Sequence, residues 1–181
     1  MSNGQIAVLV AAAVVVFWMV GAYNRLVALR TAIGSAWALV DEVLKKRGEA
    51  VLALAAALRE PLADEQSALD ALVAAEKQLR SAADALGARP LAPARASALL
   101  GGEPALASAS SRVLALLDQQ ANLRALETIT AHTAVLRDSA ARLVFARQLY
   151  NQAAQEYDRA VLQFPTNLLA RLYRFAPAGR L

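Results

Sequence analysis

Apolar residues fill the chain without a single charge from Met1 to Asn24; beyond that they recur at intervals of three and four, the period of a helix. The unbroken run is Ile6 to Ala22, IAVLVAAAVVVFWMVGA. A bilayer core of about 30 Å takes roughly 20 mostly apolar residues as a helix. With Tyr23 as its interfacial edge, the run is predicted to be one transmembrane anchor over 6–23. Ile6, Val10 and Val14 would lie in lipid, and Phe17, Trp18 and Tyr23 toward the C-terminal headgroup level, where aromatic rings are favoured. A cleaved signal peptide would open with Lys or Arg and have a shorter apolar core. The leader at positions 1–5 is uncharged, although Val20 and Ala22 mimic a cleavage site before Tyr23. A buried core helix would need apolar sheathing on every side, which no neighbouring stretch supplies.

After the anchor there is no proline until Pro61. Two rows of apolar positions run through this stretch: Leu26, Ile33, Val40 and Leu54, then Trp37, Leu44, Val51 and Leu58, with Arg30 and Arg47 interrupting them. Seven-residue stripes are what packed bundle helices require, so the anchor is expected to continue into the first bundle helix. Asp64 reads as an N-cap or first-turn acid of a second helix burying Leu69, Leu72, Val73, Leu79, Ala83 and Leu86. Gly87 and Pro90 end that helix. The prolines and glycines of 88–104 read as a linker with about one helical turn, and a short third helix is expected from Pro104, burying Leu106, Val113, Leu114 and Leu117. Asn122 is the expected cap of a fourth helix running to Phe164. Its stripe is Ile129, Leu136, Leu143, Tyr150, Tyr157 and Phe164, with Ala140, Ala154 and Val161 beside it; Arg147 also falls on that second row, either snorkelling or pairing with an acid inside. The fold expected is all-α: a membrane helix continuing into an antiparallel bundle of about four helices over 24–165, then a short amphipathic tail over 166–181.

Composition adds little to this pattern and removes several function classes. Alanine inflates the 57% hydrophobic content, so no second span follows from it. The absence of cysteine excludes disulfides, thiolate catalysis and cysteine-ligated zinc. The net charge of +4 favours an anionic membrane surface, but no Lys/Arg cluster with interleaved aromatics points to nucleic acid. Arg25 and Arg30 follow the apolar run directly, then Lys45, Lys46 and Arg47. Positive residues stay on the cytoplasmic side, so the leader is expected outside and the bundle in the cytoplasm of a bacterial cell, single-pass in the inner membrane.

Two stretches carry a family pattern. The first is Tyr23-Asn24-Arg25-Leu26-Val27, Ala36-Trp37 and Leu44-Lys45-Lys46-Arg47. The second is Ala146-Arg147-Gln148-Leu149-Tyr150-Asn151, then Phe164-Pro165-Thr166-Asn167 and Phe175. Together they resemble the LemA family over nearly the whole chain, which implies a membrane helix followed by a cytoplasmic helical bundle. Three departures mark a diverged member. Val51-Leu52-Ala53-Leu54 stands where the family has Ile-Pro-Asn-Leu, Gln120-Ala121 replaces Tyr-Pro, and Ala140 replaces a glutamate that would partner Arg147. The resemblance implies architecture and location rather than a chemistry; relatives are linked to membrane stress, to membrane compartments and, in some bacteria, to magnetosome formation.

No catalytic, cofactor or metal site is expected. His132 is the only histidine and has no partner at helical offsets, Asp41 and Glu42 point to different sides of a helix, and Gly101-Gly102 lacks the strand and lysine of a phosphate loop. Tyr150-Asn151 and Tyr157-Asp158 repeat one heptad apart. The tyrosines should be core, with Asn151 and Asp158 hydrogen-bonding between helices or fixing a partner protomer. In the tail, Leu168, Leu169, Leu172 and Phe175 are expected on one face, with Arg171 and Arg174 elsewhere. Such a helix would lie on lipid or dock on the bundle. The function expected is a non-enzymatic, self-associating membrane scaffold. The alternative is an adaptor for a membrane protease or sensor kinase. The partners are the bilayer, further copies of the chain and other membrane proteins.

Overall fold

Helix α1 spans Asn3–Leu58 in the computed structural model, which describes residues 2–181. Its 56 residues make a rod of about 84 Å at 1.5 Å per residue. Ser2 opens it with a reciprocal cap: its hydroxyl accepts the Gln5 amide at 3.4 Å, and its own amide donates to the Gln5 side chain at 3.0 Å. Residues 2–18 are all exposed, and Leu26 is the first buried side chain along the helix. The expected continuity of the apolar run with the first bundle helix is what the structure shows.

A 3-10 turn at Ala63–Glu65 leads into α2, Gln66–Ala88. Then come α3, Pro93–Asp118, a four-residue α4, Ala121–Arg124, α5, Glu127–Leu162, and α6, Thr166–Leu172. Among the described residues there is no strand. The long helices alternate in direction. Trp37 lies against Gly87 near the end of α2, whereas Gly48 meets Glu76 earlier in it. Likewise Trp37 meets Tyr150, while Val43 shares a groove with Val135. Helix α1 is the spine, packed on α5 and α2, with α3 against α2.

Both rows of α1 are buried as their spacing predicts, from Leu26 to Leu58. So are Leu69, Leu72, Leu79, Ala83 and Leu86 of α2, Leu106, Val113 and Leu117 of α3, and Ile129, Leu143, Tyr150 and Tyr157 of α5. Leu136 is half-buried and Ala140 exposed.

Four boundaries differ from the sequence expectation. Helix α3 begins at Pro93, not Pro104, so the supposed linker is helix and buries Ala96 and Leu99. Proline is well placed at a first helical position, where its missing N–H has no partner to lose; Pro104 then sits inside the helix, whose packing along α2 outweighs the lost hydrogen bond. Asn122 lies in α4 and does not cap α5, which starts at Glu127 behind Leu126. Asp64 sits in the 3-10 turn and makes no cap hydrogen bond. Helix α5 stops at Leu162, which leaves Phe164 beyond its stripe and 74% exposed.

Candidate functional site

Charge enters the middle of the bundle from all four long helices. Arg47 occupies a core row between Val40 and Leu54, and its side chain is 13% exposed. Its Nη1 and Nη2 donate to the two carboxylate oxygens of Glu103 on α3, each at 3.1 Å, a fork-to-fork pair of the stronger kind. Arg147 of α5 donates to the same carboxylate at 2.8 Å. One acid therefore ties α1, α3 and α5 together.

Helix α2 supplies Glu76, on the buried stripe between Leu72 and Leu79 and 4% exposed. Its carboxyl rests on Gly48 so closely that a Cβ there would lie 2.2 Å from Oε1. Its Oε2 has no hydrogen-bond partner. Burial pushes this carboxyl above its ordinary value of 4.5, against the pull of Arg47 and Arg80. Arg80 itself donates to Asp41 of α1 and to Asp84, each at 2.6 Å. Burial alone would raise the Asp41 pKa, but hydrogen bonds from Lys45 and Arg80 hold it below 3.8. Lys45 and Lys46 stay exposed and pair with Asp41 and Glu42 one turn back.

A second polar set begins one turn beyond Arg147 and runs toward the C-terminal end of α5. Tyr150 and Tyr157 are core, as their heptad places predict. The Tyr150 hydroxyl donates to the Pro90 carbonyl, its ring meets Trp37 edge-on at 6.4 Å, and burial pushes its pKa up to about 12. Asn151 and Asp158 do not bond between helices; both hold residues 178–181. The Asn151 side chain donates to the Leu181 carbonyl and accepts the Leu181 amide at 2.8 Å. Asp158 accepts the Ala178 amide at 2.8 Å and the Arg180 guanidinium at 2.6 Å. From the other side, the Gly179 amide donates to the Leu91 carbonyl at 3.0 Å. Any Cβ on Gly179 would stand 2.8 Å from the Pro93 Cα, so only glycine passes there. The end of the chain is thus a strap laid across α5 and the turn between α2 and α3.

Helix α6 turns Leu169 and Ala170 inward and leaves Leu168, Arg171 and Leu172 exposed, with Tyr173 and Arg174 just beyond it. The expected common face of Leu168, Leu169, Leu172 and Phe175 is not formed, because the helix ends at Leu172, before Phe175. Phe175 is half-buried against Tyr23, at 6.2 Å between ring centres, and Tyr173 lies 5.2 Å from the same ring. These residues therefore sit at the level where the apolar run of α1 ends. Asn24, Arg25 and Arg30 are exposed nearby; Pro165 and Asn167 are half-buried.

Residues 36–180 match the LemA family model. The chain belongs to the LemA family. The matched span takes in Trp37, the ionic layer and all of the strap except Leu181; the apolar run and Tyr23-Asn24 precede it. Comparison with curated proteins returns no match. In this LemA bundle Glu103 gives Arg147 the acid that Ala140 does not. The sequence reading missed Glu76 and Glu103. Glu76 announced itself only by interrupting an apolar stripe, and Glu103 lay in the stretch read as linker. His132 is half-buried on α5, and among the described residues no three His, Asp or Glu side chains gather as a metal-holding group.

Proposed function

We propose that this LemA protein is a single-span membrane protein whose bundle stands at the cytoplasmic face of a bacterial inner membrane as a non-enzymatic, self-associating scaffold. The observation that carries the membrane reading is the bare apolar third of α1, continuous with the helix that forms the bundle's spine. Ten large apolar side chains between Ile6 and Val20 are exposed. At about 1.5–3 kcal/mol each, taking them out of water is worth on the order of 20 kcal/mol, more than a folded domain's own stability. Arg25 and Arg30 stand exposed directly after the run, which favours a cytoplasmic bundle. Leu168, Arg171, Leu172 and Arg174 stand exposed on the base that would face the headgroups, with Phe175 tucked beside Tyr23.

Membrane fractions washed at alkaline pH should retain the chain, and fusions after Leu181 should report a cytoplasmic end. A fusion partner that works only outside the cytoplasm, found active there, would overturn the orientation. Release of the chain by the alkaline wash would overturn the anchor.

A further inference from the structure

The face of the bundle between α1 and α5 carries a groove of about 670 Å³ with an apolar floor and a charged rim. Leu39 and Val43 of α1 and Val135 and Phe145 of α5 line the floor. Three of them are exposed, Leu39 at 46%, Val135 at 39% and Phe145 at 62%. The rim is two ion pairs, Glu42 with Lys46 and Asp138 with Arg142, all four side chains more than half exposed. Pairs this open to water contribute little to the fold and are free to re-pair.

Their arrangement is a checkerboard. The helices are antiparallel, and the Glu42 pKa is pulled down by Lys46 and, from across the groove, by Arg142. Glu42 therefore stands beside Arg142 and, one turn along each helix, Lys46 stands beside Asp138. Rotation about a two-fold axis along the bundle sets Glu42 against Arg142 of a second copy and Lys46 against its Asp138. A two-fold axis across the bundle also matches charges, setting Glu42 against the second copy's Lys46. Only the first axis leaves both apolar rods pointing the same way, into one membrane. We propose that this groove is a self-complementary dimer face, occupied by a second copy of the chain related by a two-fold axis parallel to α1. The choice of axis rests on the membrane reading above; the interface itself does not.

Charge reversal separates the cases, because each reversed pair still matches within its own helix and all four side chains are too open to water for the new neighbours across the groove to cost the fold much. In the full chain in detergent, Glu42→Lys with Lys46→Glu sets like charges face to face across the proposed interface. It should weaken the dimer at least about tenfold by sedimentation equilibrium, with helix content by circular dichroism unchanged. Adding Asp138→Lys and Arg142→Glu restores opposite charges and should restore the dimer. Phe145→Glu should abolish it. A wild-type chain that sediments as a monomer overturns the proposal. So does a dimer indifferent to the α1 reversal, which is the behaviour of the crosswise axis. Alkaline washing reads the anchor separately: a chain that washes free yet shows this reversal pattern keeps the dimer face and loses the membrane reading.

Discussion

Two guanidinium groups converge on Glu103, and nothing else in the ionic layer bonds to Arg147. Glu103→Gln leaves Arg47 and Arg147 side by side without their counter-charge, which should cost about 2–4 kcal/mol. In a chain of this size that lowers Tm by roughly 5–10 °C. Thermal unfolding in detergent measures it, and an unchanged Tm would remove Glu103 as the tie between three helices. Glu76 makes the opposite prediction. Its folded pKa lies above 4.5, so the unfolded chain loses this proton first as pH rises. The stability contributed by the protonated form is complete below pH 4.5 and is lost as pH climbs through the raised value. Glu76→Gln should therefore raise Tm at pH 7 and flatten its dependence on pH above 4.5; a variant melting lower than wild type at pH 7 refutes this. Of these residues, Arg47 and Arg147 were visible as breaks in apolar rows, with an internal acid already an option for Arg147. Their shared acid was hidden, because one chain pattern cannot say which distant turn comes alongside.

At the scale of elements, the seven-residue stripes of α1, α2 and α5 were legible because each helix buries one face along its length. Helix α3 was misjudged from Pro93 to Pro104, where local breakers lose to packing along α2. The strap was illegible for a different reason. It has no periodicity, and its order comes from side chains of α5 reading backbone groups about 20–30 residues away. Gly179 is its tightest point. Gly179→Ala places a methyl against the backbone of Pro93, which cannot yield as a side chain tip would, and should cost about 1–3 kcal/mol locally. The Gly179 amide should then exchange with deuterium much faster and Arg180 become open to trypsin. An exchange rate equal to wild type would show that the turn gives way instead.

For the whole molecule, the base formed by α6 and its basic residues is the testable contact with lipid. A chain lacking residues 1–24 should bind anionic vesicles weakly, more so at low salt. Each basic residue near such a surface is worth about 1 kcal/mol, so Arg171→Ala with Arg174→Ala should reduce that binding at least tenfold. Binding unchanged by the pair would place the base away from lipid. The apolar run that opens α1 was the easiest feature to read, since an uncharged apolar stretch needs no partner to be recognised. The groove on which the proposed dimer rests was invisible until α1 and α5 were seen together.

The unbroken course of α1 has a mechanical consequence. Its distal tip, Leu58, lies about 50 Å beyond Leu26, with no hinge in between. Membrane helices commonly lean by about 20°, and more where the bilayer is thin. A lean of that size, carried rigidly through the spine, swings the tip sideways by roughly 17 Å. Anchored as proposed, the bundle behaves as a pointer, translating small differences in bilayer thickness into displacements large enough for a neighbour to sense.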